Sequence, residues 1–416
     1  MDCPCPFNSY WINTMKLLTK TMPVLAALLS AMALQSSLSA APLPAPLDSL
    51  GPNFLTLTGG VSAAYNSNVL SSPGGPSKFD DFVFTFNPGI TLDYGKKDEL
   101  GDATLTYSET FLRYDQHSAL NEELSNLGLN YVRQQSRFTF TVAASYDQSY
   151  QNSPSSVGGA GAPLTAIIRD DIINGSGDVH WNFSDKFNFD ASVDFSQNDY
   201  LYHEGQGFND SDTYTVPLSA YYVYSDALSF GVGYTYQETD AKGAATGGPG
   251  SVNESNSISL NAQLAEWEKL TGSVNVGLTD HRFRQAGTSS TSDTGSYGVN
   301  LAYAYSEKVG FNLNGSRGFN TGTQGQNIES TNGSLGVNYA YTDSISLQAT
   351  LLGYTYSEYL GSTRNDNTYT TGVTVNWQAY TWLTLSAGYT YFMNSSSAPN
   401  ATYNINVVTI SAMVKY

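Results

Sequence analysis

The sequence predicts an all-β protein, a single transmembrane antiparallel up-and-down β-barrel of about eighteen strands. Apolar and polar residues alternate along most of the chain, short and long breaks follow one another between the alternating segments, and aromatic residues gather beside the breaks. The chain has 416 residues, and we find no composition shift or linker that would divide its body. We therefore expect one large domain.

The composition suits a wall that separates lipid from water. Charged residues make up only 13% of the chain, while Tyr (30) and Gly (38) are abundant; soluble domains carry roughly 25% charged residues. No run of about 18 apolar residues follows residue 40, so the body contains no candidate transmembrane helix. The formal net charge of -18 argues against a nucleic-acid partner.

The first 40 residues are predicted to be a leader that contains an export signal, starting near Met15. Lys16 and Lys20 form a positive region, residues 22–34 are apolar, and residues 37–41 offer a small-residue cleavage site. Cleavage after about residue 40 would leave 41–53 as a short periplasmic segment before a barrel at 54–416. A short N-terminal anchor helix is the alternative, although the apolar segment is too short to span comfortably.

The strands are recognised by alternation with a period of two residues. In residues 228–236, Leu, Phe, Val and Tyr share one face, while Ser, Gly and Thr share the other. Residues 297–305 and 383–391 show the same division. A face of small and hydroxyl side chains would make a poor dry core, but it is typical of a wall that faces a watery lumen.

The breaks alternate between short turns and long loops, the asymmetry of outer-membrane barrels, in which short turns are periplasmic. Short turns are predicted near residues 96–97, 135, 185–186, 225–226, 268–269, 307–308, 343 and 379. Longer segments are predicted at 66–78, 117–121, 151–164, 200–210, 239–251, 285–293, 320–327, 359–366 and 394–402. The count is about eighteen strands, with sixteen as the alternative because the segments 121–134 and 165–183 alternate weakly.

Aromatic residues next to the breaks predict a girdle at each membrane surface. The periplasmic girdle is predicted to comprise Trp181, Tyr224, Trp267, Tyr305, Tyr341, Trp377 and Trp382. The outer girdle is predicted to comprise Tyr65, Tyr146, Tyr214, Tyr236, Tyr369 and Tyr391. A general preference of tyrosine for strands is the alternative, but it explains their number and not their position.

The last segment, residues 407–416, alternates and stops on the aromatic Tyr416. This ending resembles the C-terminal signal that the barrel-insertion machinery of the bacterial outer membrane reads, although most such signals end in Phe. We therefore expect a Gram-negative outer-membrane location, with membrane lipid, periplasmic chaperones and the insertion machinery as partners.

Two segments carry a resemblance to a known family. Residues 57–69 read LTGGVSAAYNSNV and residues 84–95 read FTFNPGITLDYG. From about Pro52 to Tyr416 the chain is similar to the β-barrel porins of bacterial outer membranes, including those encoded near exopolysaccharide export systems. The resemblance implies the barrel architecture and supplies no catalytic or ligand residues.

No pattern of catalytic or metal-binding residues is found. The four histidines, at 117, 180, 203 and 281, show no metal-ligand or triad spacing with Ser, Cys or Asp. The glycine-rich segment 158–161 lacks the lysine of a phosphate-binding loop. We therefore expect no enzyme activity, no cofactor and no metal.

The function expected from these features is a porin-like channel for the passive passage of small hydrophilic solutes, since barrels of 16 to 18 strands leave an aqueous lumen. An outer-membrane component of exopolysaccharide export, for which the partner would be a polysaccharide, is one alternative. A structural or adhesive surface barrel is another.

Two features of the lumen are predicted. Asp190 and Asp194 alternate with apolar neighbours, so we expect them, with Asp147 and Asp178, to line the pore and favour cations. Pairing of these acids with arginines on neighbouring strands is the alternative. Residues 151–164, the third long loop, are a candidate constriction framed by Pro154 and Pro163. An exposed surface loop is the alternative for that segment.

Overall fold

The computed structural model describes residues 54–95, 101–151, 168–201, 208–243 and 249–416. Eighteen strands form one closed antiparallel barrel, in which consecutive strands pair and the last strand pairs with the first. The predicted fold class and the strand number of eighteen are confirmed. The expected leader at 1–40 and the segment 41–53 lie outside the described residues.

The strands are β1 (Leu55–Asn66), β2 (Asp81–Tyr94), β3 (Asp102–Tyr114), β4 (Glu122–Gln134), β5 (Phe138–Gln151), β6 (Ile168–Ser184), β7 (Phe187–Leu201), β8 (Ser211–Ser225), β9 (Leu228–Ala241), β10 (Ser251–Trp267), β11 (Leu270–Gln285), β12 (Thr288–Ala304), β13 (Val309–Thr321), β14 (Asn327–Ala340), β15 (Ile345–Tyr359), β16 (Asn365–Tyr380), β17 (Leu383–Ser396) and β18 (Tyr403–Lys415). Two short 3-10 helices, Gly75–Ser77 and Ser118–Leu120, lie in loops. The described part of the chain contains no helix that is long and apolar enough to cross a membrane.

Short turns lie at one end of the barrel, which we call the short-turn end. At the opposite end, the long-loop end, most connections are longer. Thr58 near the start of β1 is paired with Lys415 at the end of β18, so the first strand starts and the last strand stops at the same end. This is the short-turn end, because the longer connection between β1 and β2 follows the other end of β1.

The polar face of the strands lies inside the ring. Side chains of six consecutive strands form one concave surface, with Thr104, Asn130, Ser145, Asn174, Ser196 and Thr213 among its members. A second concave surface includes Asn300, Asn314, Ser334, Thr355 and Thr368. Because the concave side of a closed sheet is its interior, these residues mark the inner face. The opposite face carries exposed apolar side chains such as Leu278, Ile258 and Leu260.

Buried apolar side chains gather at the long-loop end. One cluster joins Ile168, Tyr200 and Phe208, and a second contains Val69, Leu70 and Tyr114. Phe208, Val69 and Leu70 belong to loops, so the loops themselves fold onto the strand ends. Both clusters of buried apolar side chains found in the described residues therefore lie at the mouth of the barrel.

The prediction of a long loop at residues 285–293 is wrong. Residues 286 and 287 form a two-residue turn, and Gln285 pairs directly with Thr288. Both turn residues have positive φ, 45° at Ala286 and 81° at Gly287, as a tight hairpin turn with the twist of its strands requires. Strand β12 therefore extends through the Ser- and Thr-rich segment 288–296.

One break in the alternation has a local cause. Leu351 and Leu352 are consecutive, and each is 51% exposed. The pairing of β15 with β16 is irregular between Thr350 and Gly353, which is where a β-bulge inserts extra residues into one strand. The bulge places two neighbouring apolar side chains at the outer surface. The alternation of inward and outward side chains resumes after it.

Gly272 on β11 tests the strand packing. Its φ is +133°, and a Cβ there would lie 1.9 Å from the carbonyl oxygen of Asn300 on β12. We expect Gly272→Ala to lower the free energy of unfolding by roughly 2 kcal/mol or more, because it adds both backbone strain and a backbone clash. Urea unfolding in detergent micelles, followed by the mobility shift of the folded barrel on gels, measures this.

Gly333→Ala on β14 is the matched control, since nothing lies within 4 Å of a Cβ at that position. Equal stability of the two variants would contradict the pairing of β11 with β12 described above.

Candidate pore lining and constriction

The four predicted pore-lining acids lie on the inner face of three neighbouring strands. Asp147 is on β5, Asp178 is on β6, and Asp190 and Asp194 are on β7. Asp178 is paired with Ser192, which puts it between the two acids of β7. Asp194 lines the first concave surface. The alternation of the strands therefore gathers at least three of the carboxylates into one inner patch.

Each carboxylate accepts a hydrogen bond from a neighbour on the inner face. The Ser145 hydroxyl donates to Asp147 over 2.7 Å, and the Ser192 hydroxyl donates to Asp194 over 3.1 Å. Asp178 is bonded more weakly, to Ser176 at 3.4 Å. These hydroxyls orient the acids without neutralising them.

Asp190 has a different partner, the imidazole of His180 on β6. Its carboxylate oxygen lies 2.5 Å from the Nδ1 of His180, and both side chains are about two-fifths exposed, 39% and 42%. The pair is therefore open to solvent, and His180 contacts the acid patch directly. Sequence spacing did not indicate the contact, because β6 and β7 bring together residues ten positions apart.

Arginine lies mainly on the opposite face. The ion pairs that involve arginine in the described ranges are Arg113–Glu123, Arg169–Asp171, Arg282–Asp280, Arg284–Glu254, Arg317–Glu329 and Arg364–Asp366. By strand alternation the first four arginines point outward. None of the four acids of the inner patch is paired with arginine or lysine in the described part of the chain, and Asp190 alone has an ionisable partner, His180.

The residues predicted for the periplasmic girdle lie at the short-turn end on the outer surface. Tyr224, Tyr305, Tyr341, Trp267, Trp377 and Trp382 are exposed large aromatics. Trp181 packs between Phe138 and Phe189, with ring centroids 5.5 and 5.6 Å away. Tyr416 is also exposed, and its backbone exchanges two hydrogen bonds with Leu57 on β1, at 2.7 and 2.8 Å.

The candidate constriction at 151–164, with Pro154 and Pro163, lies almost wholly outside the described residues. A different segment narrows the mouth. Strand β12 begins at Thr288, yet it pairs with β13 only from Tyr297 to Ala304, opposite Arg317 to Gly310. Residues 318–326, which we call the tip segment, are thus released from β12; they comprise the end of β13, which stays paired with β14 as far as Thr321, and the turn that follows it.

The tip segment reaches across the inside of the mouth. The backbone N–H of Asn209, in the loop before β8, donates to the carbonyl oxygen of Thr323 over 2.7 Å. The Ser251 hydroxyl on β10 donates to the carbonyl oxygen of Gly325 over 2.8 Å. Four strands, β9–β12, separate β8 from β13 in the ring, so these contacts connect two non-neighbouring parts of the wall across the inside of the mouth.

An aromatic contact supports the inward position. The ring of Phe319 stacks on His281 of β11, with centroids 4.1 Å apart and planes 11° from parallel. His281 is only 1% exposed and Phe319 8%. The contact joins β13 to the inner face of a strand that is not its neighbour, which is possible only if the tip segment bends into the ring.

Two acids at the mouth are structural. Asp81 accepts hydrogen bonds from the backbone N–H groups of Phe82, Gln116 and His117. Asp366 is bonded to the guanidinium of Arg364 at 2.6 Å and is 3% exposed. Both carboxylates hold loops in place, and each is already paired, Asp366 with Arg364 and Asp81 with the ring of His117.

Within the described ranges, no three His, Cys, Asp or Glu side chains form a group that could hold a metal ion.

Comparison with known families supports the resemblance drawn from the sequence. Residues 260–416 match the family model described as "Putative beta-barrel porin 2". The match covers β11 to β18, whereas the segments 57–69 and 84–95 lie outside it. No curated protein sequence matches the chain.

The chain is similar in structure to several solved outer-membrane proteins. OccK1 (OpdK) of Pseudomonas aeruginosa is 10% identical with a TM-score of 0.48, covering 87% of this chain and 99% of its own. The ferric citrate transporter FecA is 12% identical, with a TM-score of 0.48 and coverages of 88% and 79%. The siderophore receptor PiuA of Acinetobacter baumannii is 10% identical, with a TM-score of 0.45 and coverages of 88% and 82%. These similarities concern the fold alone.

Gly325 tests the constriction. It has a φ of +74°, and a Cβ there would lie 2.8 Å from the Ser251 hydroxyl and 3.0 Å from the Asn209 amide nitrogen. We expect Gly325→Val to displace the tip segment, raise single-channel conductance and expose the bond after Arg317 to trypsin. The trypsin readout does not depend on conduction.

Gly361→Val is the control, because Gly361 has a similar φ of +80° but nothing within 4 Å of a Cβ. Both variants carry the same backbone strain, so a difference between them reports the contacts in the mouth. Wild-type conductance and trypsin resistance in Gly325→Val would show that the tip segment is not held as described.

Proposed function

We propose that this porin-like barrel is a passive channel of the bacterial outer membrane, without enzyme activity, that conducts small hydrophilic solutes and favours cations. The observation that carries the proposal is the division of the wall into a polar inner face, with an acid patch that has no arginine or lysine partner in the described residues, and an apolar outer face. Barrels of this size leave room for water inside.

The outer face fits a bilayer. Exposed Leu, Ile and Val side chains form its middle, and aromatic side chains lie towards both ends, as in the girdles of outer-membrane barrels. In the proposed orientation, the short-turn end faces the periplasm and the long-loop end faces outward. The partners are membrane lipid, periplasmic chaperones and the insertion machinery, for which Tyr416 ends the last outward-facing stripe.

The inner patch explains the proposed selectivity. Carboxylates within a low-dielectric wall raise the local concentration of cations and lower that of anions. Asp178, Asp190 and Asp194 share one region of the wall, and hydroxyl groups rather than cationic groups orient Asp178 and Asp194. The arginines on the outer face do not screen the lumen directly.

Reconstitution into planar bilayers in a salt gradient tests the proposal. We expect single-channel currents with a reversal potential that indicates cation preference. The variant Asp178→Asn, Asp190→Asn, Asp194→Asn should keep its conductance within the same range, while the permeability ratio of cations to anions falls to about one.

Asp199→Asn is the control, because Asp199 lies on β7 but on the outer face, where it accepts a hydrogen bond from Gln197. An anion-selective wild type would refute the selectivity. A correctly folded barrel that gives no current and no solute flux into vesicles would refute the channel itself.

A further inference from the structure

A polar cavity lies beneath the tip segment. It has a volume of about 240 Å³ and is enclosed by the inner faces of β7–β11 on one side and by residues 319–323 on the other. Pockets for drug-sized ligands measure roughly 300–1,000 Å³, so this cavity suits one smaller molecule. It is built from strands and a loop segment that are distant in sequence.

The cavity has unused hydrogen-bonding groups. The side-chain amides of Asn209 and Asn253 are 2% and 5% exposed, and neither the oxygen nor the nitrogen of either amide has a hydrogen-bond partner. Asn198 also has an unpaired side-chain oxygen. Leaving such a buried group unpaired is unfavourable, so several unmet groups in one place indicate a missing partner.

His281 adds a fourth group. Its Nδ1 lies 2.9 Å from the Ser255 hydroxyl, which fixes the ring, while its buried Nε2 meets no hydrogen-bond geometry and has the side chain of Asn327 as its polar neighbour. The stacked Phe319 covers one face of the imidazole. An aromatic surface beside amides and an imidazole is an arrangement that can contact both the C–H and the O–H groups of one small molecule.

The lining is uncharged. Among the residues that the structure describes, no Asp, Glu, Lys or Arg side chain borders the cavity, although the chain as a whole has a formal charge of -18. The unpaired groups include both hydrogen-bond donors and acceptors, because each side-chain amide supplies both. A cation would gain no carboxylate there, and an anion would gain no cationic partner. The complementary molecule is neutral and carries several hydroxyl groups.

We propose that this cavity is a binding subsite for one neutral polyhydroxylated solute of monosaccharide size, held by Asn209, Asn253 and His281. The inference rests on the proposed channel function in one respect, that solutes enter the mouth from solution. Ordered water is the competing occupant, since water can also satisfy buried amides.

Equilibrium binding tests the subsite without requiring conduction. Glucose, galactose and mannitol are titrated into the detergent-solubilised barrel by calorimetry or ligand-observed magnetic resonance, with glucosamine and glucuronate as charged analogues. We expect at least one neutral probe to bind, and the charged analogues to bind at least about tenfold more weakly because their charge loses hydration without gaining a partner.

Variants locate the binding. Asn253→Ala and Asn209→Ala should each weaken the binding of the neutral probe at least about tenfold. Asn275→Ala is the control, because Asn275 also faces inward on β11 but lies outside the cavity. Gly325→Val, which is expected to lift the tip segment, should weaken binding as well and serves if an asparagine variant does not fold.

The outcomes separate the two proposals. Failure of every neutral probe to bind, or unchanged binding in the cavity variants, overturns the subsite and leaves water as its occupant, whether or not the barrel conducts. Sugar binding by a barrel that gives no current supports the subsite and refutes the channel.

Discussion

Closure of the ring is the constraint on which the rest of the structure depends. A backbone N–H or C=O group facing hydrocarbon has no water to bond, so a sheet can cross a bilayer only if every strand has two neighbours. The pairing of β1 with β18, from Thr58 opposite Lys415 to Asn66 opposite Val407, supplies the last of these ladders. The backbone bonds of Tyr416 extend it beyond the last strand residue.

Once the ring is closed, each strand has one face inside and one outside, and the two faces carry different electrostatics. The outer face bears several strand arginines that are paired with acids, among them Arg113, Arg282 and Arg284, and its middle is apolar. The inner face bears hydroxyls, amides and acids, of which Asp147 and Asp194 are bonded to hydroxyl groups and Asp190 to His180. A single period-two pattern therefore determines both how the wall meets its surroundings and which charge its interior presents.

Much of this arrangement could be predicted from the sequence, because strand alternation is a local property. The same alternation placed Asp147, Asp178, Asp190 and Asp194 on one face. It failed where a turn or a bulge is set by backbone conformation, at Ala286–Gly287 and at Leu351–Leu352. It also could not show that Asp190 contacts His180, which depends on the register of β6 with β7.

The position of the tip segment was beyond the reach of the sequence. It depends on contacts of Thr323 with Asn209, of Gly325 with Ser251 and of Phe319 with His281, which join distant parts of the chain through the interior. In the sequence, Phe208 is an isolated apolar residue in the polar loop before β8, and it indicates that this loop, rather than the tip segment, packs onto the strand ends. The sequence also did not indicate which residues line the cavity, because they too come together only through long-range contacts. An asparagine at a strand end has no pattern that distinguishes it from other polar residues there.

The central claim is that alternate residues of one strand face water inside and lipid outside. The most direct measurement is a cysteine scan of residues 191–196 on β7, in a chain whose natural cysteines, Cys3 and Cys5, are replaced. A water-soluble, bilayer-impermeant thiol reagent should reduce the current at positions 192, 194 and 196 and leave positions 191, 193 and 195 unaffected. Reaction without a period of two, or a reversed pattern, would contradict the account.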